Sequence, residues 1–292
     1  MYELVQVAKR TYYIESPAKA GLYVDENKNV TLIDTGSDKE AGRKINQHLK
    51  ANEWTLKRIV NTHSHADHVG GNAFLQQRAQ AELLTTEVEA VFTKFPHLEP
   101  SLLYGGFPPK PLRNKFLMAQ PSVPTGVVGA DLDGGFEIIP LPGHYFDMIG
   151  VRTPDDVLFL GDCLSGAHIV EKYHVNFVYD VEQYLNTLDS VESINAKLYI
   201  PAHASPVENI LELTTINREK VQGIIALVCA LCQSPCSTED IIKAVFDHFG
   251  LKMDFNQYVL VGSTLRSYLA YLLDKGCLEV IFEQNRLLFK AL

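Results

Sequence analysis

The chain has 292 residues, of which 46% are hydrophobic and 21% charged, with a formal net charge of −9. This balance is typical of globular proteins and excludes a disordered or fibrous class. No apolar run reaches the ~18 residues that cross a bilayer, and the first ten residues lack the apolar core of a signal peptide, so a soluble cytoplasmic protein without membrane contact is expected. The acidic balance disfavours nucleic acid as a partner and favours a small-molecule substrate.

The chain begins with a strand-rich region. Residues 2–14 and 20–34 have the composition of strands, and residues 25–29 supply a turn within the second of these segments. Ser37 and Glu40 then have the spacing of a capping box. This spacing predicts a helix that ends near Asn52.

A dense group of histidines follows the short apolar run at residues 59–60. His63, His65, Asp67 and His68 have neither helical nor strand period, so core packing does not explain them. Imidazole nitrogen and carboxylate oxygen suit zinc and other divalent ions. His63 and His65 alternate along an extended segment and can face one ion, while Asp67 and His68 turn toward a second position. A solvated histidine-rich loop is the alternative, and the length of the motif disfavours it.

Residues 95–130 contain many of the prolines and lack a strong period. A long irregular insertion of this kind is typical of a lid or a binding loop. Its basic side chains Lys110, Arg113 and Lys115 are candidates for binding an anionic end of a substrate. Solvation of all three is the slightly favoured alternative, because scattered charges are a weak signal.

Three further apolar strands each end in a single histidine or aspartate, at His144, Asp162 and His203. Each is a weak signal by itself. Together with the histidine loop, they would place five histidines and two aspartates on one rim, as two divalent ions sharing a bridging carboxylate require. Asp34, at an earlier strand end, is expected to orient the metal-binding loop, and helix capping is the alternative.

These residues resemble, in order, the five motifs of the metallo-β-lactamase-fold hydrolases. The motifs are Asp34, the loop 63–68, His144, Asp162 and His203. The aspartates and the histidine at 144 are more similar to the glyoxalase II type than to true β-lactamases. The resemblance implies the α/β fold class, as an αββα sandwich.

The resemblance also implies a ligand set for two divalent metal ions. The first ion would be held by His63, His65 and His144, the second by Asp67, His68 and His203, and Asp162 would bridge them. Zinc is the expected metal, and the same donors accept manganese or iron. The sequence after His144 departs from the family pattern, since Tyr145 and Phe146 make a bulkier wall that we expect to supply apolar surface for the substrate.

The expected activity is hydrolysis of a small thioester or acyl ester. Two metals about 3.5 to 4 Å apart lower the pKa of a shared water and give a hydroxide nucleophile. Asp67 and Asp162 are the predicted catalytic residues, with Asp67 as a candidate proton acceptor. An endoribonuclease or phosphodiesterase of the same fold is one alternative, and a non-enzymatic metal-binding sensor is another.

The sequence predicts two domains, a catalytic domain over residues 1–215 and a helical, winged-helix-like domain over residues 216–292. Ser237 and Asp240 cap a predicted helix, a second helix covers residues 264–276, and a β-hairpin closes the chain. Residues 237–292 hold six basic and seven acidic residues, so this domain is not expected to bind DNA. Packing against the catalytic domain or against a homodimer partner is expected instead.

Overall fold

The computed structural model describes residues 2–129 and 131–292 and contains two large β-sheets. The first sheet has seven strands in chain order: β1 (Glu3–Gln6), β2 (Thr11–Glu15), β3 (Ala20–Val24), β4 (Asn29–Ile33), β5 (Thr55–Val60), β6 (Glu82–Thr85) and β7 (Gly126–Val127). Strands β1 to β4 pair antiparallel through tight connections. Strands β4 to β7 pair parallel, because longer connections return the chain in the same direction.

The second sheet has five strands in the spatial order β12-β11-β10-β9-β8. These are β8 (Asp131–Leu132), β9 (Phe136–Pro140), β10 (Ile149–Arg152), β11 (Val157–Phe159) and β12 (Leu198–Ile200). Side chains from both sheets meet in one buried cluster that includes Tyr23, Val60, Phe136 and Val151. The rings of Tyr23 and Phe136 pack edge to face across this cluster at 5.2 Å. The two sheets therefore form the inner layers of a sandwich.

Helices lie outside the two sheets, and several of them cover the outer faces. They are α1 (Lys39–Ala51), α2 (Ala66–Val69), α3 (Asn72–Ala79), α4 (Glu87–Lys94), α5 (Leu98–Tyr104), α6 (Ala167–Tyr173), α7 (Val181–Ser193), α8 (Leu211–Leu231), α9 (Thr238–Phe249) and α10 (Phe255–Asp274). Ile45 of α1 and Leu75 of α3 share a buried cluster with Leu32 of the first sheet. Leu188 of α7 and Val228 of α8 share another with Leu158 beside the second sheet. The predicted αββα sandwich of the α/β class is confirmed.

Two local expectations need correction. The cap of α1 is Asp38 and not Ser37, since the Asp38 side chain accepts the backbone N–H groups of Glu40 and Ala41. Residues 95–130 are also less irregular than predicted, because they contain α5, a 3-10 turn at Lys110–Leu112 and strand β7. Three leucines of this segment are buried with Val259 in a small core of their own: Leu103, Leu112 and Leu117. The insertion is therefore folded against the start of α10.

The C-terminal elements follow the predicted order of two helices and a hairpin. The capping box of Ser237 and Asp240 at α9 is confirmed. Helix α10 begins well before residue 264, because the Asp254 side chain accepts the backbone N–H of Gln257 and caps the helix there. The hairpin of β13 (Leu278–Glu283) and β14 (Arg286–Ala291) is confirmed.

The predicted domain boundary at residue 215 falls inside α8. Leu265 and Leu269 of α10 belong to the same buried cluster as Leu188 of α7, so the C-terminal helices share a core with the second sheet's outer layer. The division into two domains, and the winged-helix likeness of the second, stay predictions. Among the described residues, no helix is both long and apolar enough to cross a membrane.

Candidate metal centre

The predicted metal ligands all lie just beyond the ends of strands. His63 and His65 follow β5, and Asp67 and His68 lie in the short helix α2 that comes next. The loop needs glycine behind it, since a Cβ on Gly70 would lie 2.2 Å from the backbone of Ser37. Close backbone packing therefore holds the histidine loop against the start of α1.

The remaining ligand candidates come from the second sheet. His144, Asp162 and His203 follow β9, β11 and β12. Gly143 has a positive φ of 115°, and a Cβ there would lie 2.2 Å from the backbone nitrogen of Tyr184. Only glycine fits this turn, which aims His144 at the histidine loop of the first sheet. The strand ends of both sheets thus meet at one edge of the sandwich.

The first group of donor atoms belongs to three histidines and Asp162, whose ligand atoms lie within 4.8 Å of one another. Nε2 of His63 is 3.0 Å from Nδ1 of His65. Nε2 of His144 is 3.2 Å from the same Nδ1 and 3.6 Å from Oδ2 of Asp162. Three ring nitrogens and one carboxylate oxygen therefore point at a common centre.

The second group comprises Asp67, His68, Asp162 and His203, again within 4.8 Å. Nε2 of His68 is 2.9 Å from Oδ1 of Asp162. Nε2 of His203 is 3.2 Å from Oδ2 of Asp67 and 3.3 Å from Oδ2 of Asp162. Asp162 belongs to both groups, so the structure brings all seven predicted ligands together around one shared carboxylate.

The buried polar atoms of this centre fit divalent cations. Nε2 of His68 and Oδ1 of Asp162 are buried and only 2.9 Å apart, but their relative orientation makes no hydrogen bond, so among the described residues both atoms lack a hydrogen-bond partner. Buried polar atoms of this kind are costly unless they have a partner. Nitrogen and carboxylate donors in two sets with one shared member match sites for zinc and similar ions.

The electrostatics of the two groups differ. In the first group, burial and then the neighbouring His144 lower the pKa of His65 to about 3, so its ring is neutral, as a metal ligand must be. In the second group, burial opposes protonation of His203, but Asp162 and Asp67 raise its pKa to about 10. The two carboxylates of the second group therefore hold a proton on His203 tightly. A metal cation would be stabilised by the same negative charge.

The ring nitrogens that face away from the centre have their own partners. Nδ1 of His68 is 2.8 Å from Oδ2 of Asp34, and the Asp34 carboxylate also accepts the backbone N–H and the hydroxyl of Thr62. Nδ1 of His144 is 3.0 Å from the carbonyl oxygen of Phe177. Such contacts fix the orientation of metal-binding imidazoles. Asp34 lies where the predicted orienting role requires it.

Sequence reasoning missed Glu89, which is fully buried on α4. Its carboxylate accepts the backbone N–H of Ser64 at 2.9 Å, the hydroxyl of Ser64 at 2.6 Å and the backbone N–H of Asp147 at 3.2 Å. Ser64 separates the two first-group histidines of the loop, and Asp147 follows the turn of His144. Glu89 therefore ties the two ligand loops together, and a lone glutamate in a helical segment carries no sequence signal for this role.

Glu99 of α5 was also missed. Its Oε1 atom lies 3.6 Å from Nε2 of His65, and its Oε2 atom accepts the hydroxyl of Tyr145. Burial raises the pKa of Glu99 to about 8. A buried carboxyl beside a candidate metal ligand thus comes from the segment that was predicted to be irregular.

A cavity of about 1220 Å³ opens beside the metal centre. Its wall includes residues of both donor groups and residues of α6 and α10. The lining residues of the centre are His65, Asp67, His144, Asp162 and His203. The cavity therefore lies between the ligand loops and the C-terminal helices.

The predicted substrate-binding residues are only partly near this cavity. Tyr145 is fully buried, with its ring 4.3 Å from that of His65, and it is absent from the cavity wall, so its contact with a substrate stays a prediction. Phe146 packs against Tyr179 and is absent from the cavity wall, as are Lys110 and Arg113. Lys115 does line the cavity, where its Nζ atom lies 3.2 Å from Asp38.

The sandwich and the donor groups that share Asp162 place this chain in the class of metal-binding αββα proteins. The chain belongs to the metallo-beta-lactamase superfamily, whose family model matches residues 15–203. The matched segment contains the ligand loops of both sheets.

The curated relatives share little sequence identity with this chain. An atrochrysone carboxyl ACP thioesterase from Aspergillus fumigatus is 24% identical over 203 residues, which are 67% of this chain and 55% of the relative. A hydroxyacylglutathione hydrolase, GloC, from Haemophilus influenzae is 31% identical over 142 residues, which are 48% of this chain and 63% of the relative. The chain thus spans less than two thirds of these relatives' lengths.

Solved structures show the same fold over nearly the whole chain. A beta-lactamase domain protein from Burkholderia ambifaria has a TM-score of 0.74 at 17% identity and covers 99% of this chain and 94% of its own. A metallo-beta-lactamase family protein from Thermus thermophilus has a TM-score of 0.73 at 18% identity, with coverages of 97% and 98%. The C-terminal helices are thus included in the structural likeness.

Proposed function

We propose that this protein is a dinuclear metal-dependent hydrolase of thioesters or other acyl esters. The observation that carries the proposal is the placement of Asp162, which belongs to both donor groups beside a large cavity. Two of the relatives support the substrate class, since one is named a thioesterase and the other a hydroxyacylglutathione hydrolase.

We assign the following roles to the residues of the centre. His63, His65 and His144 would hold one ion, and Asp67, His68 and His203 the other, with Asp162 between them. Bound divalent ions would polarise the substrate carbonyl and lower the pKa of water. Zinc is the proposed metal, and manganese or iron suits the same donors.

Asp67 is proposed to accept the proton that leaves the attacking water. Partial burial opposes its ionisation, but the neighbouring His68 and His203 lower its pKa to about 2, so the carboxylate is ionised at neutral pH. Its side chain is 40% exposed and lines the cavity, so water and substrate reach it. An ionised carboxylate that water reaches can accept a proton, and a pKa this far below neutrality makes it a weaker base than a group whose pKa lies near the working pH.

The rival activity is cleavage of RNA or of a phosphodiester. A nuclease attracts a polyanion with a basic surface, but this chain has a net charge of −9. Carboxylates line the cavity as well, among them Glu15, Asp38 and Asp254. Glu15 and Asp38 pair with the lining lysines Lys19 and Lys115, so the cavity has no basic surplus to attract a polyanion, while a single anionic end of a small substrate can still meet a lysine.

The test is a substrate screen on the full chain after loading with zinc, manganese or iron(II). The panel holds acyl thioesters, lactones, β-lactams and single-stranded RNA, and Asp162→Ala is the inactive control. We expect turnover of thioesters that Asp162→Ala abolishes. Cleavage of RNA by the metal-loaded protein, with no turnover across the thioesters, would overturn the proposal in favour of the nuclease.

A further inference from the structure

The cavity has a far wall that the metal centre does not explain. Leu260 and Val261 of α10 form part of it, and Ile169 of α6 lies on the same cavity surface. The metal ligands come from the loops of the two sheets, so none of these three residues belongs to the centre. Helix α6 was not predicted from the sequence, and α10 was placed in a separate domain.

Phe177 connects this wall to the first donor group. Its ring is 5.3 Å from that of His65 and 5.7 Å from that of His144, and its carbonyl accepts the Nδ1–H of His144. Phe177 and Leu260 both pack against the small core of the insertion. An apolar surface therefore begins at the metal ligands and runs toward α10.

Polar groups on the α10 side offer no anchor for a charged substrate. The α10 side chains that line the cavity are apolar or uncharged, with Asn256, Gln257 and Thr264 beside Leu260 and Val261. The adjoining charge, Asp254, already caps the helix by accepting the backbone N–H of Gln257. On the α6 side, Lys172 also lines the cavity and donates to the hydroxyl of Tyr173 at 3.1 Å. The α10 side of the wall thus suits an apolar group better than an anionic one.

The size of the cavity points the same way. Its volume of about 1220 Å³ exceeds the ~300–1,000 Å³ typical of small-molecule sites, so a short acyl group leaves most of it unfilled. Each methylene that moves from water onto the apolar wall strengthens binding. A long acyl chain uses surface that an acetyl group does not reach.

We propose that the cleft between Phe177 and helix α10 is a subsite for an apolar acyl chain. The C-terminal helices then form the specificity wall of the active site. The inference rests on the proposed function for the reaction itself, while the binding of a chain to this subsite is a separate property. A thioester carbonyl would lie at the metal centre, and its acyl tail would extend along Phe177 toward Leu260.

The experiment compares acetyl, butanoyl, hexanoyl, octanoyl and decanoyl thioesters of one thiol. The variants are Leu260→Phe and Ile169→Phe, which fill the cleft from two helices. Ala270→Phe is the matched control, because Ala270 is an exposed residue of α10 away from the cavity. Calorimetric titration with alkanoates from butanoate to decanoate measures binding without turnover.

In the wild type, kcat/KM should rise about fourfold per methylene until the cleft is filled. Leu260→Phe or Ile169→Phe should lower kcat/KM for decanoyl at least about tenfold and leave acetyl within about twofold, while Ala270→Phe changes neither. Alkanoate binding should show the same dependence on chain length. If one variant does not fold, the other carries the test.

The outcomes separate the subsite from the reaction. Chain-length-dependent alkanoate binding that the filling variants abolish, with no thioester turnover, supports the subsite and refutes the proposed function. Thioester turnover with no dependence on chain length refutes the subsite but not the proposed function. The same holds if Leu260→Phe and Ile169→Phe have the same kcat/KM for decanoyl thioester as Ala270→Phe.

Discussion

At the scale of single residues, the centre depends on side chains with more than one partner. Asp162 faces both donor groups, Asp34 contacts His68 and Thr62, and Glu89 accepts bonds from two ligand loops. Asp34 adopts a positive φ of 59°, which is uncommon outside glycine and persists only where surrounding contacts enforce it. Substitution at such positions should affect metal binding before it affects the fold.

Asp162→Ala should remove a ligand from both donor groups. We expect metal content to fall, most of all at the second site, and turnover to be lost, while circular dichroism keeps the native spectrum. Asp34→Asn should have a smaller effect than Asp162→Ala, because loss of a partner that only orients a ligand costs roughly 10–100-fold in metal affinity or activity. Near two ions per chain with intact turnover in Asp162→Ala would contradict the bridging role.

Glu89→Gln should flatten the dependence of stability on pH. Burial raises the pKa of Glu89 from 4.5 to about 7, so between these values the folded protein keeps a proton that the unfolded chain has released. Stability therefore falls as pH rises through this window, and the neutral glutamine lacks this loss. Urea unfolding between pH 4.5 and 7 measures the free energy of unfolding of the wild type and of the variant. Their difference removes the contribution of the other titrating groups, which the two proteins share. Parallel profiles would show that Glu89 does not titrate there.

Lys115→Ala should weaken binding of an anionic thioester, because Lys115 alone of the three predicted basic residues lines the cavity. Its side chain is 67% exposed, so the effect is modest, with KM raised up to about fivefold and kcat less affected. Lys110→Ala and Arg113→Ala are the matched controls and should be silent. Equal effects of all three would indicate a general charge effect.

At the scale of elements, helix ends account for most differences between prediction and structure. The capping box of α9 was found from sequence because its two members are three residues apart and bond each other directly. The predicted start of α10 at residue 264 was too late. The first turns after the Asp254 cap contain β-branched residues such as Val259, which have a lower helix propensity and so hid the true start of the helix. Helix α6 is short and has no capping side-chain bond, so it carries little local signal.

Ser237→Ala should destabilise the protein through α9. Ser237 accepts the backbone N–H of Asp240, and Asp240 accepts the backbone N–H of Ser237 at 3.0 Å. Loss of such a cap costs about 1 kcal/mol. Chemical unfolding measures the change, with the exposed Ser234→Ala as a control expected within about 0.5 kcal/mol of wild type. Indistinguishable variants would mean that α9 does not limit the stability of the folded state.

At the scale of the whole molecule, the C-terminal helices are integrated with the sandwich. Leu265 and Leu269 of α10 are buried in one cluster with Leu188 of α7 and Val228 of α8. The same helix contributes to the cavity beside the metal centre. The packing of α10 therefore supports both the shared core and the proposed acyl-chain subsite.

Deletion of residues 237–292 should expose the apolar face of α8 that α10 now covers. Exposed apolar surface of this kind promotes association, so we expect aggregation or a changed oligomeric state, with metal binding retained in any soluble fraction. Light scattering and metal analysis measure both properties. A truncated chain that is monodisperse and keeps the melting temperature of the full protein would refute the shared core.

The sequence by itself determined the fold class and the seven candidate ligands that the structure brings together. The histidine loop is a local motif, and the other ligands follow short apolar strands, so nearby residues carry their signal. Alternation and helical spacing are likewise local, which is why the closing hairpin was predicted, whereas the sandwich was implied by the resemblance of the five motifs to the metallo-β-lactamase fold.

Only the tertiary structure decided what surrounds the ligands. Glu89, Glu99 and Phe177 reach the centre from separate helices and loops, and no local spacing marks a contact across such distances in the chain. Tyr145 follows a ligand directly, yet its ring points into the core and not into the cavity. The direction of a side chain and the residues it contacts are set by packing between distant elements, and that packing alone placed α10 in the wall of the cavity.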